Sequence, residues 1–444
     1  MGKSIQEKFD NITTEFKTGK TKPYEYRLEK LKLLKKTILE YEDKIMKALY
    51  DDLNKPRMES YMSEYKLVID EIDYMLKHLK KLMKDRKIRP LLAQMPSKIR
   101  LRYEPYGKVL IISPWNYPFF LSLNPVIGAV AAGNTFILKP SNYSVNTSDV
   151  LEEIITKVFS KDYIVLGSRV ENKALLDLKF DYIFFTGSVK VGKVVMKKAS
   201  ENLIPVTLEL GGKSPCFVDR TADLEKSAER ILFGKLMNAG QTCVAVDYVL
   251  ADKSIIDDLI IKLKEKYKEM IPNEDYRRKY MPRIIDEKHL QRINSYFDKD
   301  MGLYMDLYIE KTTLDSKFMK DELFSPILPV IPFERKEDLI EIFDDYKKPL
   351  SMYIFSKDDE FIDYLLDNVQ SGGVSINDTL FHMMSPRAPF GGVGNSGMGN
   401  YHGKFSFKTF SHERTILKKW WDFDIRSKYH PYNQKKFDSI KKLM

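Results

Sequence analysis

The chain has 444 residues, a formal net charge of +10, 43% hydrophobic and 31% charged residues, two cysteines and six histidines. That balance excludes a largely disordered chain and a disulfide scaffold, and a prior of roughly 150 residues per domain calls for about three domains. No Cys/His cluster or HExxH pattern is present, so no metal is expected, and two isolated cysteines fit a reducing cytoplasm.

The N-terminus, Met1-Gly2-Lys3-Ser4-Ile5-Gln6, carries no apolar signal core, and Gln6 does not fit the myristoylation pattern. Residues 24 to 86 read as helices, because Leu28, Leu31, Leu34, Ile38 and Leu39 recur near the helical period, as do Leu67, Ile69, Ile72 and Leu76. The lysines of these segments, Lys30 to Lys36 and Lys77 to Lys84, read as solvated helix faces. No nucleic-acid partner is therefore expected, although the charge would steer an anionic ligand. Between Val109 and Leu138 there is no charged residue, but Pro114, Pro118 and Pro125 with Asn116, Asn124 and Asn134 make this a buried core segment and not a membrane span.

From Lys108 the pattern changes. Strands are predicted at Val109–Ser113, Thr135–Leu138, Tyr163–Leu166 and Tyr182–Phe185, with helices starting at Ser148 and Val191. A second alternation places strands at Cys216–Val218, Val246–Ala251, Ile327–Pro332, Ser351–Phe355 and Gly373–Ile376. Helices fall between them at Leu224–Met237, Ile255–Tyr267, Lys336–Tyr346 and Glu360–Val369. The expected class is α/β, with two doubly wound lobes and an active site between them. The aromatic, basic tail beyond Lys404 reads as an arm packed on another surface.

Two short segments carry chemistry. Cys243 follows Gly240-Gln241-Thr242, where a glycine allows a tight turn and Gln241, Thr242 and Cys243 would offer backbone N–H groups to an oxyanion. A nucleophilic thiolate needs such an exposed, polarised setting, whereas an isolated cysteine is otherwise a small buried hydrophobe. Glu209 lies among apolar residues in Leu208-Glu209-Leu210-Gly211-Gly212-Lys213-Ser214-Pro215, so it is either a general base with a raised pKa or an ion-pair partner. Cys216 reads as a buried strand residue.

These segments, with Pro114-Trp115-Asn116-Tyr117-Pro118, resemble the aldehyde dehydrogenase superfamily. The run Pro389 to Gly403 is similar more narrowly to class 3 aldehyde dehydrogenases. The resemblance extends over nearly the whole chain. It implies a Rossmann-like NAD(P)-binding domain at 1–208, excluding an arm segment near 86–107, and a catalytic domain at 209–403. Residues 404–444 with 86–107 would form an oligomerisation arm of a homodimer.

In that scheme Cys243 attacks an aldehyde, Asn116 and the Cys243 amide hold the oxyanion, and Glu209 activates the water that hydrolyses the thioester. Without the resemblance, the other reading of Asn116 is a turn residue between two prolines. Gly187, Ser188 and Gly192, in a strand-to-helix turn that lacks the GxGxxG form, become phosphate-binding candidates. Lys139 matches the lysine of the adenosine ribose. Glu322 and Phe324 match the carboxylate of the nicotinamide ribose and the ring that supports the nicotinamide.

Asn142 departs from the family, which frequently has Glu there. A neutral amide removes a repulsion worth about 1 to 4 kcal/mol at a few ångströms, so NADP is expected alongside NAD. The implied substrates are medium or long aliphatic and aromatic aldehydes, with Tyr61, Tyr65, Trp115 and Met237 near the tunnel. The alternatives are a coenzyme A-acylating relative and a non-catalytic binding protein on the same fold.

Overall fold

The computed structural model describes residues 3–167, 169–342 and 348–443. The expected helical entry layer is present as Tyr24–Glu40, Glu42–Leu53 and Lys66–Leu82, with Leu31, Leu34, Ile38, Ile72 and Met75 buried on one face. A five-residue π-helical turn, Tyr61–Tyr65, widens the last of these at its start. Such wide turns re-aim side chains, and here the turn carries the buried Glu64.

The uncharged stretch folds as two strands around a helix. Lys108–Ile112 and Thr135–Lys139 pair in parallel, and Phe120–Ala132 between them is buried at every position, which explains why it is apolar all round. Gly133, at φ 93°, ends that helix in a place where a Cβ would meet the Arg27 guanidinium at 2.4 Å. Among the described residues no helix is long and apolar enough to cross a membrane.

A five-stranded sheet has the order Gly397–Met398, Val206–Leu210, Tyr182–Gly187, Lys108–Ile112, Thr135–Lys139. It is parallel except for Gly397–Met398, which runs antiparallel beside Glu209 and Leu208. A six-stranded parallel sheet has the order Gly373–Ile376, Ser351–Phe355, Pro215–Val218, Tyr248–Asp252, Ile327–Phe333, Tyr308–Lys311. One continuous apolar core runs from the entry helices through both sheets.

Several expectations change. Val206–Leu210 is a strand of the first sheet, so a boundary at 208/209 would cut it, and Gly397–Met398 returns the chain to that sheet from the 209–403 region. At Tyr163–Leu166 only Ile164 bridges to Leu138, because the preceding residues take a 3-10 turn and Gly167 at φ 142° breaks the extension. The strand expected from Val246 begins at Tyr248, with the Asp247 amide already donating to the Ser214 carbonyl in the same register. Of the helix expected at Lys336–Tyr346, Asp338–Glu341 is helical and residues 343–347 lie outside the described residues.

The arm segments meet as an antiparallel sheet of Arg86–Ile88, Ser97–Pro105 and Ser411–Lys419. The helix Lys404–Thr409 before it is not part of the projection, because Ser406 and Phe407 are buried and Ser406 lies against Gly128. Loops leaving the C-terminal ends of the first sheet's strands meet loops entering the N-terminal ends of the second. Ligands of open α/β sheets bind in the crevice outside those C-terminal ends.

Candidate active site

The turn before Cys243 is held in an unfavourable backbone conformation. Asn238, Ala239 and Gly240 have φ of 53°, 53° and 74°. For the two non-glycine residues this costs about 1–3 kcal/mol each, so the surroundings must enforce it. The Asn238 amide donates to Glu59 at 2.7 Å, and its side-chain Nδ2 donates to the carbonyls of Asn116 at 2.8 Å and Gln241 at 3.0 Å. Gly240 is irreplaceable on steric grounds, since a Cβ there would lie 2.4 Å from the Ser325 carbonyl oxygen.

Gln241 was expected to offer its amide to the oxyanion, but that N–H is used by the Asn238 carbonyl. Its side chain is also committed, to the Asn238 and Arg283 carbonyls and the Ile285 amide. Gln241 is therefore scaffold. Thr242 is fixed by a 2.6 Å bond between its hydroxyl and that of Tyr117.

Cys243 is half-buried, not exposed. Desolvation, then the nearby carboxyls of Glu322 and Glu209, push its thiol up to about 12, while the amides of Cys243 and Val244 favour the thiolate. A neutral thiol next to two acidic side chains needs a base or a bound cation to become nucleophilic.

Glu209 sits in the strand Val206–Leu210, opposite Gly397 and Thr186. It is buried, and neither carboxyl oxygen has a hydrogen-bond partner among the described residues. Burial alone holds its carboxyl well above the usual range. A carboxyl left unpaired beside a thiol has the proton affinity and the free lone pairs to accept a proton from water.

Asn116 follows the strand Lys108–Ile112 and is buried. One N–H of its side chain is spent on the Gln241 carbonyl at 3.0 Å, which leaves the second for an oxyanion. Behind it lies an ion pair that sequence reasoning missed. The fully buried Lys55 ammonium pairs with the fully buried Glu64 and donates to the Asn116 carbonyl at 3.1 Å. Glu64 also accepts from the amides of Phe119 at 2.8 Å and Phe120 at 3.2 Å. No local signal marks either residue, because Lys55 reaches across 61 positions.

On the cofactor side, Tyr182–Gly187 ends where Ser188 caps the helix Val189–Ser200, its hydroxyl accepting from the Val191 amide. Gly192 lets that helix settle on the sheet, since a Cβ would lie 2.6 Å from Leu210 Cδ2. An exposed helix start with unspent amides suits a phosphate. Lys139 ends the strand Thr135–Lys139, and its Nζ donates to the Pro140 carbonyl at 2.8 Å and to Asn142 Oδ1 at 3.0 Å. Burial lowers it to about 8.

Glu322 packs against Gly211, where a Cβ would come within 2.3 Å of its carboxyl. Burial, with Asp247 adding to it, raises Glu322 to about 8, and Oε1 has no partner among the described residues. An orphaned acceptor of this kind fits a ribose hydroxyl. Phe324, at φ 49°, meets the Trp115 ring edge-on at 5.6 Å. Of the tunnel candidates, Tyr61 and Tyr65 stack at 5.7 Å, whereas Trp115 packs with Phe324 and His289 beside the cofactor candidates.

Comparison with known proteins adds identity to this geometry. The model described as "Aldehyde dehydrogenase family" matches residues 3–416. The chain is 43% identical to the 4,4'-diaponeurosporen-aldehyde dehydrogenase of Staphylococcus aureus, over 94% of each chain. It is 41% identical to the mouse (Mus musculus) "Aldehyde dehydrogenase, dimeric NADP-preferring", over 90% of this chain and 92% of that one. Among solved structures, substrate-bound Staphylococcus aureus AldH superposes with a TM-score of 0.96 at 41% identity, covering 99% of both chains. Neither coenzyme A acylation nor a non-catalytic role is favoured by these matches. This chain, an oxidoreductase that uses NAD or NADP to oxidise aldehydes, belongs to the aldehyde dehydrogenase family.

Proposed function

We propose that Cys243, Glu209 and Asn116 perform this oxidation on medium or long aliphatic and aromatic aldehydes. The observation that carries the reading is the buried Glu209 carboxyl, unpartnered and electrostatically coupled to the Cys243 thiol. The Cys243 sulfur forms a bond to the carbonyl carbon as the thiol proton passes to the Glu209 carboxylate and from there to solvent. The free N–H of Asn116 and the Cys243 amide receive the negative charge that develops on the oxygen. NAD(P) would be held by Gly187, Ser188 and Gly192 at the phosphates, Lys139 and Asn142 at the adenosine ribose, Glu322 at the nicotinamide ribose and Phe324 against the nicotinamide, and when bound it would supply the acceptor for the hydride that leaves the carbonyl carbon, so that a thioester on Cys243 remains. Glu209 then takes a proton from water, whose oxygen displaces sulfur from the thioester, releasing a carboxylic acid and regenerating Cys243.

NADP is accepted alongside NAD because Asn142 presents an amide to the ribose, and its Oδ1 is already occupied by Lys139. A homodimer is supported by the nine-residue edge strand Ser411–Lys419, whose outer side is open to a second copy, and by the word "dimeric" in the mouse relative's name. Cytoplasmic residence agrees with two free thiols.

The test is reduced-nicotinamide formation from hexanal and benzaldehyde, with NAD and NADP separately, for wild type and Cys243→Ala. Activity in wild type and a loss of at least about 10⁴-fold in the variant are expected, the scale seen when a covalent nucleophile is removed. A Cys243→Ala enzyme that turns over normally overturns the assignment. Coenzyme A added to the assay should leave the product a free acid.

A further inference from the structure

A row of four half-buried rings lines the cleft, and its members alternate between the two sheets' loops. Tyr143 meets His289 edge-on with centroids 5.3 Å apart, His289 meets Trp115 at 4.8 Å, and Trp115 meets Phe324 at 5.6 Å. Tyr143 and Trp115 lie on loops that follow strands of the five-stranded sheet, next to Asn142 and Asn116. His289 and Phe324 precede strands of the six-stranded one. Three of the four rings neighbour a residue already assigned to substrate or cofactor. His289 does not, and it comes from a helix, Glu287–Asn294, to which the mechanism gives no role.

That helix and the residues just before it are tied to the nucleophile turn, the Glu322 segment and the entry helices. Asp286 caps it by accepting from the His289 amide at 2.8 Å, and the same carboxyl oxygen holds the imidazole Nδ1 at 2.6 Å. Arg292 donates to the carbonyls of Glu322 at 3.3 Å and Leu323 at 2.7 Å. The residues just before the helix are gripped by Gln241, through the Arg283 carbonyl at 3.0 Å and the Ile285 amide at 3.1 Å. Arg283 in turn donates to the Asp52 carbonyl at 2.9 Å, beside the entry helices. The stretch 283–292 thus holds the nucleophile turn and the Glu322 segment, and the His289 ring, beside a 3.5 Å bond from Lys288 Nζ to the Tyr143 hydroxyl, extends it to Trp115 and Tyr143 on the opposite loops.

We propose that His289 is a positioning residue that latches the two sheets across the dinucleotide cleft and sets how fast reduced cofactor leaves. The proposal rests on the assignment of that cleft made above. Edge-to-face contacts act only at short range, so widening the cleft must break the His289 contacts to Trp115 and Tyr143. Release of product or opening of a closed site limits turnover in many enzymes, so a contact of this kind acts on rate without touching the reacting atoms.

The experiment measures NADH and NADPH dissociation from the full-length protein by stopped-flow displacement, with equilibrium binding followed by tryptophan fluorescence. His289→Ala is expected to release both about tenfold faster and to raise KM for the cofactor, with KM for hexanal changed less than about twofold. His289→Phe, which keeps the ring, should recover most of the wild-type release rate, a rescue that a general loss of structure would not show. If the alanine variant melts early, His289→Gln replaces it, retaining a polar group for Asp286 without the ring.

Unchanged release in a folded His289→Ala or His289→Gln overturns the latch. Lys139→Ala separates the two levels of the argument. If it weakens cofactor binding while the His289 variants do not, the cleft is correctly assigned and the latch fails. If neither change affects binding by a wild type that does bind NADH, the cleft assignment fails and takes the latch with it.

Discussion

Around Cys243 the working side chains are buried or half-buried and fixed by partners far away in the chain, whereas Ser188 and Asn142 are exposed and fixed by neighbours a few residues away. Asn116 takes its position from Lys55, Asn238 and Gln241. Ser188 needs only Val191, and Asn142 only Lys139. The difference follows from what each end must do. Charge that develops during bond making is stabilised best in a dry, preorganised pocket, while a soluble dinucleotide must enter and leave by an open surface. Burial carries a cost at both ends, visible as raised carboxyls at Glu209 and Glu322, a raised thiol at Cys243 and a lowered ammonium at Lys139.

The comparison breaks most clearly at Glu209. Glu209→Gln should lower kcat by about 10² to 10⁴-fold and leave acyl-enzyme to accumulate, seen as a burst of reduced nicotinamide followed by a slow steady state. A glutamate ionises near 4.3 in an unfolded chain, but in the fold Glu209 keeps its proton well above that. The tighter folded-state proton stabilises the native protein fully below the unfolded value, and this contribution is lost as pH rises toward the folded one. Glu209→Gln should therefore gain thermal stability relative to wild type as pH is raised above about 4.5. A melting difference that is flat with pH would show that the carboxyl is not desolvated.

Asn116→Ala comes next, with kcat reduced about 10² to 10³-fold and cofactor affinity retained, as for the loss of one oxyanion donor. A rise in the cofactor dissociation constant without loss of kcat would place Asn116 at the wrong end of the cleft. Glu64→Ala leaves the Lys55 ammonium buried without its partner, and breaking a buried pair costs about 3–5 kcal/mol. Denaturant titration should find that loss, together with lower kcat through Asn116. Stability within error of wild type would mean that the pair is not dry.

The exposed end should respond least. Asn142→Glu restores a carboxylate beside the ribose, and about 1.4 kcal/mol of repulsion would lower the NADP-over-NAD ratio of kcat/KM about tenfold. An unchanged ratio would show that the ribose phosphate is accommodated elsewhere.

Legibility in the sequence divides along the same line. The strands Thr135–Lys139, Tyr182–Gly187 and Ser351–Phe355, and the turns that follow or precede them, are encoded by apolar runs next to Gly, Pro or Ser, so pattern alone locates them. Val206–Leu210 escaped notice because Thr207 and Glu209 interrupt its apolar pattern. Opposite Glu209 stands Gly397, where a Cβ would lie 2.0 Å from the Leu208 carbonyl oxygen, so this close pairing of the two strands requires glycine. Lys55, Glu64 and His289 escaped for a different reason. A polar or charged residue on a helix, or in the short link between two helices where Lys55 lies, has the same local signature whether it faces water or the site.

The amino-acid pattern by itself therefore determined two α/β lobes, an uncharged core segment and the residue types proposed for the chemistry, since local propensity and short motifs encode these. Only the tertiary structure decided how the chemistry is tuned. The committed side chain of Gln241, the free N–H of Asn116, the Glu209 carboxyl without a partner among the described residues and the ring contacts of His289 arise from close approaches between segments up to 188 positions apart. Hydrogen bonding and desolvation act over a few ångströms of space, and distance along the chain does not report them.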